Sequence, residues 1–116
     1  MNRQRAERGG RRAESLAALW LRLKGWTILA RRLRTPVGEV DLVARRGRTL
    51  AFVEVKARAT AEAAAQALDE YRLRRVVAAA EASAARFARP GDTLRIDAMF
   101  IVPGRLPRHM PNVWHG

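Results

Sequence analysis

The stretch FVEVKAR, residues 52–58, is an apolar strand pattern that carries a glutamate and a lysine two positions apart. Side chains alternate between the two faces of a β-strand, so Phe52, Glu54 and Lys56 share one face while Val53 and Val55 share the other. An acid and a base in so apolar a run are costly to bury without partners. The stretch therefore predicts a polar site at the edge of a hydrophobic core.

A second β-rich run, GEVDLVA at residues 38–44, precedes this stretch and is joined to it by a short loop that contains glycine. Two such runs around a short glycine-containing loop are typical of a β-hairpin. The hairpin brings the acids of the first run next to those of the second.

The register of the hairpin decides which acids face each other. Alternation puts Glu39 and Asp41 on one face of the first strand and Val40 and Leu42 on the other. A loop of about four residues over 46–49 sets Asp41 opposite Glu54, whereas a tighter two-residue loop sets Glu39 there. In both registers the acids of the two strands share a face.

Facing carboxylates repel, and burying them costs several kcal/mol unless something neutralises them. A divalent cation is the simplest neutraliser, and a few hard oxygen ligands in an open site suit Mg²⁺ or Mn²⁺. The facing acids of either register would hold the ion, and Lys56 beside it could stabilise charge on a phosphate or orient a water. The alternative is an exposed sheet face with a simple Glu54–Lys56 ion pair.

The charge of the chain points to polyanionic partners. Lys and Arg number 23 against 11 acids, a formal net charge of +12, and only Lys24 and Lys56 are lysines. Such a surface favours nucleic acid above all. An anionic membrane surface is less favoured, because no basic amphipathic segment is uninterrupted. The alternative is that arginine supplies ordinary surface charge throughout.

Length and composition fit one domain. The chain has 116 residues, of which 48% are hydrophobic. It has no cysteine, which excludes disulfides, thiolate zinc sites and a thiol nucleophile, and its two histidines, His109 and His115, fall short of a zinc ligand set. No apolar run approaches the roughly 20 residues that span a bilayer, and the basic N-terminus leads into no signal-type apolar region. We expect a cytoplasmic protein without a membrane partner.

The remaining pattern gives the element order. A basic, mobile segment over about 1–12 precedes an amphipathic helix from Arg12 to about Lys24, which Gly25 ends. A strand at 26–34 leads into the hairpin.

An Ala-rich segment at 61–88 follows the hairpin and is a kinked helix or two helices. Its expected core contacts are Leu68, Tyr71, Val76 and Val77. After it come a strand, TLRIDAMFIV, and a Pro-rich tail over about 103–116. Asp97 in this strand is expected to be structural, paired with an arginine. The order indicates an α/β sandwich with a mixed sheet.

The hairpin motifs resemble those of the PD-(D/E)XK, or restriction endonuclease-like, nuclease superfamily, which has an acid on one strand and acid-X-Lys on the next. More narrowly, the chain resembles the bacterial YraN family, which is similar to archaeal Holliday-junction resolvases. The likeness covers nearly the whole chain and includes RIDAMFIV at residues 95–102. It implies a restriction endonuclease-like three-layer sandwich, a mixed β-sheet flanked by helices.

The resemblance also implies roles for single residues. Asp41 and Glu54 match the metal-binding acids for Mg²⁺ or Mn²⁺, and Lys56 matches the catalytic lysine. Glu14 matches a first-helix glutamate that reaches the site, although it could also be an ordinary first-turn acid. Glu39 matches a family position with a supporting or purely structural part.

Cations on the following helix would contact phosphates. Arg72 stands where the family often carries a lysine, and arginine keeps the charge without a titratable amine. Gln66 is a further polar candidate, and Arg58 at the strand end could grip a phosphate. Two more basic residues of this helix, Arg74 and Arg75, complete the proposed nucleic-acid contacts, the alternative for all of them being a solvated surface.

The sequence therefore predicts a metal-dependent nuclease that hydrolyses phosphodiester bonds, with DNA favoured over RNA and branched or structured DNA as a candidate substrate. The alternative is a non-catalytic nucleic-acid-binding module that retains the fold, and a third hypothesis is an interaction protein whose charged groove docks an acidic partner. A chain of this size has one site, so symmetric cutting of two strands would require a homodimer.

Overall fold

The computed structural model describes residues 3–114, with side chains from Gly10 onward. Within that range the chain forms three α-helices and one five-stranded β-sheet. The helices are α1 (Arg3–Leu23), α2 (Ala61–Ala67) and α3 (Glu70–Phe87), and the strands are β1 (Thr27–Thr35), β2 (Gly38–Arg46), β3 (Thr49–Ala57), β4 (Thr93–Ile101) and β5 (Arg108–Met110). None of the helices in this range has the length and apolar character needed to cross a membrane.

The sheet is mixed, as the sequence predicts. Its strands lie in the order β1-β2-β3-β4-β5. β3 and β4 run parallel, while every other neighbouring pair is antiparallel. A parallel pair needs a crossover of about a dozen residues or more, and α2 with α3 supplies it.

Helices cover both faces of the sheet and give it two hydrophobic cores. On one face Leu21 of α1 packs in a buried cluster with Leu42 and Val53. On the other face Val76 of α3 packs in a second cluster with Phe52. The architecture is a three-layer sandwich of helix, mixed sheet and helix, and the predicted fold class is confirmed.

The first helix is longer than predicted. It begins at Arg3 rather than at Arg12 and ends where predicted, because Gly25 takes a left-handed φ of +91°. Arginine, glutamine and alanine, which are good helix formers, extend the helix through the glycines at 9 and 10 into the segment expected to be mobile. Met1 and Asn2 lie outside the described residues, and the mobility expected for 1–12 stays a prediction.

The Ala-rich segment forms two helices, α2 and α3, one of the two predicted forms. Asp69 separates them, because its side chain accepts a 2.8 Å hydrogen bond from the Arg72 N–H and caps α3. Val76 is buried as predicted. Tyr71 was wrongly assigned to the core: it lies in the first turn of α3 and is 70% exposed.

The hairpin has the first of the two predicted registers, reached by a different loop. Leu42 lies opposite Val53 at the end of the paired residues, which is the register predicted for Asp41 opposite Glu54. The residues at 46 and 49 are themselves paired, so the loop has two residues rather than four. Gly47, with a φ of +60°, provides the left-handed conformation that such a tight turn requires.

Near Asp41, both β1 and β2 break the regular alternation of side chains between the two faces of the sheet. Val40 packs with the cluster under α3, whereas Leu42 packs with the cluster under α1, so the prediction that these two share a face is wrong. The reason lies partly in β1, where Arg32 takes a φ of +53° and interrupts the alternation between Ala30 and Leu33. The change of face leaves Asp41 at a point where the regular ladder is disturbed.

The tail contains a short strand, β5, that the prolines concealed. Asp97 of β4 is fully buried and holds this tail, because it accepts hydrogen bonds from His109 Nε2 at 2.7 Å and from the Asn112 N–H at 2.9 Å. Arg95 forms the predicted arginine pair with it at 2.8 Å. Burial acts to raise the pKa of Asp97, but these hydrogen bonds outweigh it and lower the pKa to about 2. His115 lies outside the described residues.

Candidate active site

An open cavity of about 440 Å³ lies at the carboxyl end of β3, between α1 and α3. Its walls combine polar residues from four elements with a few apolar ones. The lining residues are Gly10, Ala13 and Glu14 of α1, Asp41 of β2, Val55, Lys56 and Ala57 of β3, Arg58 after it and Arg72 of α3.

The cavity opens where β2 and β3 stop pairing. The ladder between them ends at Leu42 and Val53. Beyond that point the Asp41 side chain takes the place of a backbone acceptor, because its Oδ2 accepts a 2.7 Å hydrogen bond from the Val55 N–H. Asp41 thus satisfies the Val55 N–H, which has no partner in β2 beyond the end of the ladder, and its carboxylate faces the cavity.

The glutamate and lysine of FVEVKAR form an ion pair at this point. Lys56 is only 5% exposed, and its Nζ lies 2.8 Å from Glu54 Oε1. A buried ammonium is tolerated only beside a negative charge. The two side chains share a face of β3 because each compensates the other inside an apolar run.

The surroundings of Asp41 disfavour its ionised form. Burial raises the pKa of Asp41 to about 7, and the nearby Glu54 carboxylate contributes to the rise. The hydrogen bond from the Val55 N–H and the charge of Lys56 oppose it, while Glu14 adds to it. Asp41 therefore has an affinity for protons, or for another cation, that an ordinary aspartate lacks.

Glu14 reaches the same cavity from α1 and is buried, with 6% exposure. Arg32 Nε donates to both of its carboxylate oxygens, at 2.9 and 2.8 Å. Arg32 is the β1 residue with the left-handed backbone, and residues strained in this way concentrate at functional sites. Sequence reasoning missed Arg32, because a left-handed arginine in a strand leaves no mark in the sequence.

The resemblance of the hairpin motifs implies a divalent metal, and the residues present fit one in part. Among the described side chains, those of residues 10–114, no three His, Cys, Asp or Glu are grouped around a metal position. Asp41 on the cavity wall offers a hard oxygen, and Glu54, which is not among the lining residues, offers another behind it. Burial and then Glu54 raise the pKa of Asp41, so a cation beside it would favour its ionised form. Such a donor set suits Mg²⁺ or Mn²⁺ in an open site where water fills the other positions.

The predicted phosphate-contacting residues fall into two groups. Arg58 and Arg72 line the cavity. By contrast, Arg74 pairs with Glu70 at 2.9 Å on the solvent face of α3.

The other residues proposed on the helices and β2 lie outside these cavity walls. Arg75 pairs with the exposed Glu39 at 3.1 Å, which gives Glu39 a structural partner that ties β2 to α3. Gln66 is exposed on α2 and is not part of the cavity wall.

A second cavity, of about 220 Å³, shares the Glu14 and Asp41 walls with the first. It lies on the β1 side of β2, and arginines dominate its rim. Its remaining lining residues are Arg11 of α1, Arg32 and Arg34 of β1 and Glu39 and Val40 of β2. None of these arginines was singled out from the sequence, since a run such as RRLR at residues 31–34 does not distinguish a site from a surface.

The fold is similar to that of a solved archaeal structure. The structure of Archaeoglobus fulgidus Hjc, a Holliday junction resolvase from an archaeal hyperthermophile, superposes with a TM-score of 0.61 over 86% of this chain and 73% of that chain. The sequence identity is 20%, so the likeness concerns the fold.

Relatives of high identity cover the whole chain. UPF0102 proteins of Sphingopyxis alaskensis and Erythrobacter litoralis are 64% and 58% identical over 114 residues, each covering 98% of this chain and 98% of its own length. That of Rhizorhabdus wittichii is 59% identical over 117 residues, covering 100% of this chain and 99% of the relative. Residues 13–101 match the Uncharacterised protein family UPF0102. The chain therefore belongs to the UPF0102 family, the YraN family that its motifs resemble.

Proposed function

We propose that this protein is a metal-dependent nuclease that hydrolyses phosphodiester bonds in nucleic acid. The observation that carries the proposal is the buried juxtaposition of Asp41 with the Glu54–Lys56 pair at the point where β2 and β3 separate. A cluster that costs stability and opens to a cavity is typical of a reaction site rather than of a packing arrangement. The nuclease-like fold and the net charge of +12 support the same function.

Asp41 and Glu54, with the Val55 carbonyl, are the residues that would hold Mg²⁺ or Mn²⁺. When bound, the cation would neutralise phosphate charge and favour ionisation of an attacking water. Asp41 is held in position by the Val55 N–H, which fixes one of its oxygens on the strand and leaves the other toward the cavity. The Glu54 carboxylate is oriented by its contact with Lys56.

Lys56 would provide the fixed positive charge of the reaction. Hydrolysis joins a water oxygen to phosphorus and breaks the bond from phosphorus to one ester oxygen, with negative charge building up on the phosphate. An ammonium that is already desolvated interacts with such charge more strongly than one in water. Glu14 borders the same cavity and would complete the site, in an orientation that Arg32 sets.

The substrate class follows from charge. Arg58 and Arg72 on the cavity wall would bind phosphates next to the scissile one. Within the nucleic acids we propose DNA over RNA, and branched or structured DNA as a candidate, in a cytoplasmic protein. Symmetric cutting of two strands would need two copies of the chain, because one copy offers one such cluster.

A non-catalytic nucleic-acid-binding module is the second candidate. It is favoured by the pairing of Glu54 with Lys56 and of Glu14 with Arg32, which neutralises both acids without any metal. In that case the cavity would bind phosphate without hydrolysing it.

The test is a cleavage assay on a labelled panel of single strand, duplex, flap, four-way junction and RNA, with Mg²⁺ or Mn²⁺. Wild type is compared with Lys56→Ala and Asp41→Asn. Matched controls are Lys24→Ala, the other lysine, and Glu81→Gln, an exposed acid on α3. Metal-dependent cleavage that is lost in the first two variants and kept in the controls supports the nuclease. Salt-dependent binding without cleavage of any substrate supports the binding module.

A further inference from the structure

The second cavity is lined by arginines that have no part in the proposed reaction. It meets the first cavity at Glu14 and Asp41 and extends toward β1, whereas the first extends toward β3. Because β2 lies between β1 and β3 in the sheet, the two cavities lie on either side of Asp41. The proposed reaction site therefore has a cavity on each side, and the two cavities share Glu14 and Asp41.

Two of the arginines on this rim have no acidic partner among the described side chains, a property that they share with other exposed arginines but combine with a place beside the proposed reaction site. Arg11 and Arg34 are exposed and form no ion pair with any side chain described in residues 10–114. Arg34 even lies opposite Glu39 in the β1–β2 ladder, yet the Glu39 carboxylate is drawn to Arg75 at 3.1 Å.

Buried or partly buried arginines elsewhere form ion pairs with aspartates inside the fold. Arg45 binds Asp92 at 2.7 Å, and Arg95 binds Asp97 at 2.8 Å. Cations left without internal partners next to a cavity are typical of anion recognition, and arginine is suited to phosphate because of its planar set of donors.

We propose that Arg11 and Arg34 form a second phosphate subsite, so that one nucleic-acid strand crosses the site from Arg58 and Arg72 on one side to Arg34 and Arg11 on the other. The inference rests on the proposed function and adds the substrate class to it. A strand held on both sides places an internal phosphodiester at Asp41. The preferred substrate is then a continuous strand with phosphates on both sides of the scissile bond, and bonds close to a strand end are cut poorly.

The first test is binding, measured without divalent metal so that cleavage cannot interfere. Fluorescence anisotropy with a fluorescein-labelled single-stranded DNA and its duplex compares wild type, Arg34→Ala and Arg11→Ala. The control is Arg48→Ala, an exposed arginine in the hairpin turn at the opposite end of β2 and β3. We expect about a 5- to 20-fold loss of affinity for Arg34→Ala with a salt slope reduced by about one, and less than about a twofold loss for the control.

The second test locates the subsite on the strand. Single phosphates are replaced one at a time by neutral methylphosphonates, and affinity is measured for wild type and Arg34→Ala. At one position, the neutral replacement should reduce the affinity of wild type by about the same factor as Arg34→Ala does. The same replacement should leave the affinity of Arg34→Ala unchanged, because the arginine and that phosphate form a single contact. The replaced phosphate should lie on the opposite side of the scissile bond from the phosphate found in the same way for Arg58→Ala.

Different results would refute the phosphate subsite and the nuclease activity. Equal losses for Arg34→Ala and Arg48→Ala, or no methylphosphonate position that couples to Arg34, would overturn the subsite even if the protein cleaves DNA. No binding by wild type at low salt would also overturn it. Binding with the expected coupling but no cleavage with any metal would leave the subsite standing and refute the nuclease.

Discussion

Replacing Asp41 with asparagine should make the metal-free protein more stable at neutral and alkaline pH. The carboxylate of Asp41 is buried next to Glu54 and Glu14, and its pKa rises from 3.8 to about 7. An amide of nearly the same shape removes the charge. It keeps an oxygen that can accept the hydrogen bond from the Val55 N–H.

The magnitude follows from the difference in pKa. The folded protein binds a proton at Asp41 more tightly than the unfolded chain does, so this residue lowers the free energy of unfolding as the pH rises from about 4 to about 7. A difference of about three pKa units sets a ceiling of about 4 kcal/mol above that window. Allowing for relaxation of the cavity and for solvent, we expect a gain of about 2 kcal/mol for Asp41→Asn at pH 8 or so, and a smaller gain near pH 5.

The assay is urea unfolding followed by circular dichroism with EDTA present, at both pH values. Glu81→Gln is the control, because this acid is exposed on α3, and it should change stability by less than about 0.5 kcal/mol. The reasoning is refuted if Asp41→Asn is less stable than wild type at the higher pH, or if its gain does not grow between the two pH values.

Three further predictions concern the supports of the site. Gly38→Ala should lower the free energy of unfolding in urea by about 3 kcal/mol, because the new Cβ would collide with the Arg75 backbone carbonyl. Gly10→Ala, in the open part of α1, should raise it by up to about 1 kcal/mol, and equal effects of the two substitutions would contradict this expectation. Asp97→Asn should lower the free energy of unfolding by about 2 kcal/mol at neutral pH. This difference should vanish as the pH falls from about 4 to about 2, because a carboxylate with a lowered pKa stabilises the fold only while it is ionised. A difference that does not depend on pH would contradict this prediction. Lys56→Met should destabilise the protein by about 3 kcal/mol, because it leaves a buried carboxylate unpaired, and an unchanged urea midpoint would show that the ion pair does not matter.

Alternation along β3 predicted that Glu54 and Lys56 share a face, and their 2.8 Å ion pair agrees with this prediction. Alternation did not suffice for β2, because Val40 and Leu42 lie in clusters on opposite faces of the sheet. The paired residues from Leu42 to Arg46 have one of the two predicted registers, with a shorter loop.

Features that depend on the backbone between regular residues could not be predicted. The left-handed φ of Arg32 shifts the alternation of β1 and directs this arginine to Glu14, and no residue type announces it. The strand β5 is three residues long and is held by the distant Asp97, a tertiary contact that local propensity does not contain. Arg34 looks like any surface arginine until its cross-strand neighbour is seen to pair elsewhere.

The measurement that tests the central claim most directly is cleavage of labelled DNA by wild type and Asp41→Asn in Mg²⁺ or Mn²⁺, on the protein samples used for unfolding. We expect the asparagine variant to be the more stable protein and yet to cleave at least about 100-fold more slowly, because the same carboxylate that destabilises the fold serves the reaction. Cleavage by Asp41→Asn at the wild-type rate, or no metal-dependent cleavage by wild type of any substrate in the panel, would contradict the claim that this cluster is the reaction site of a nuclease.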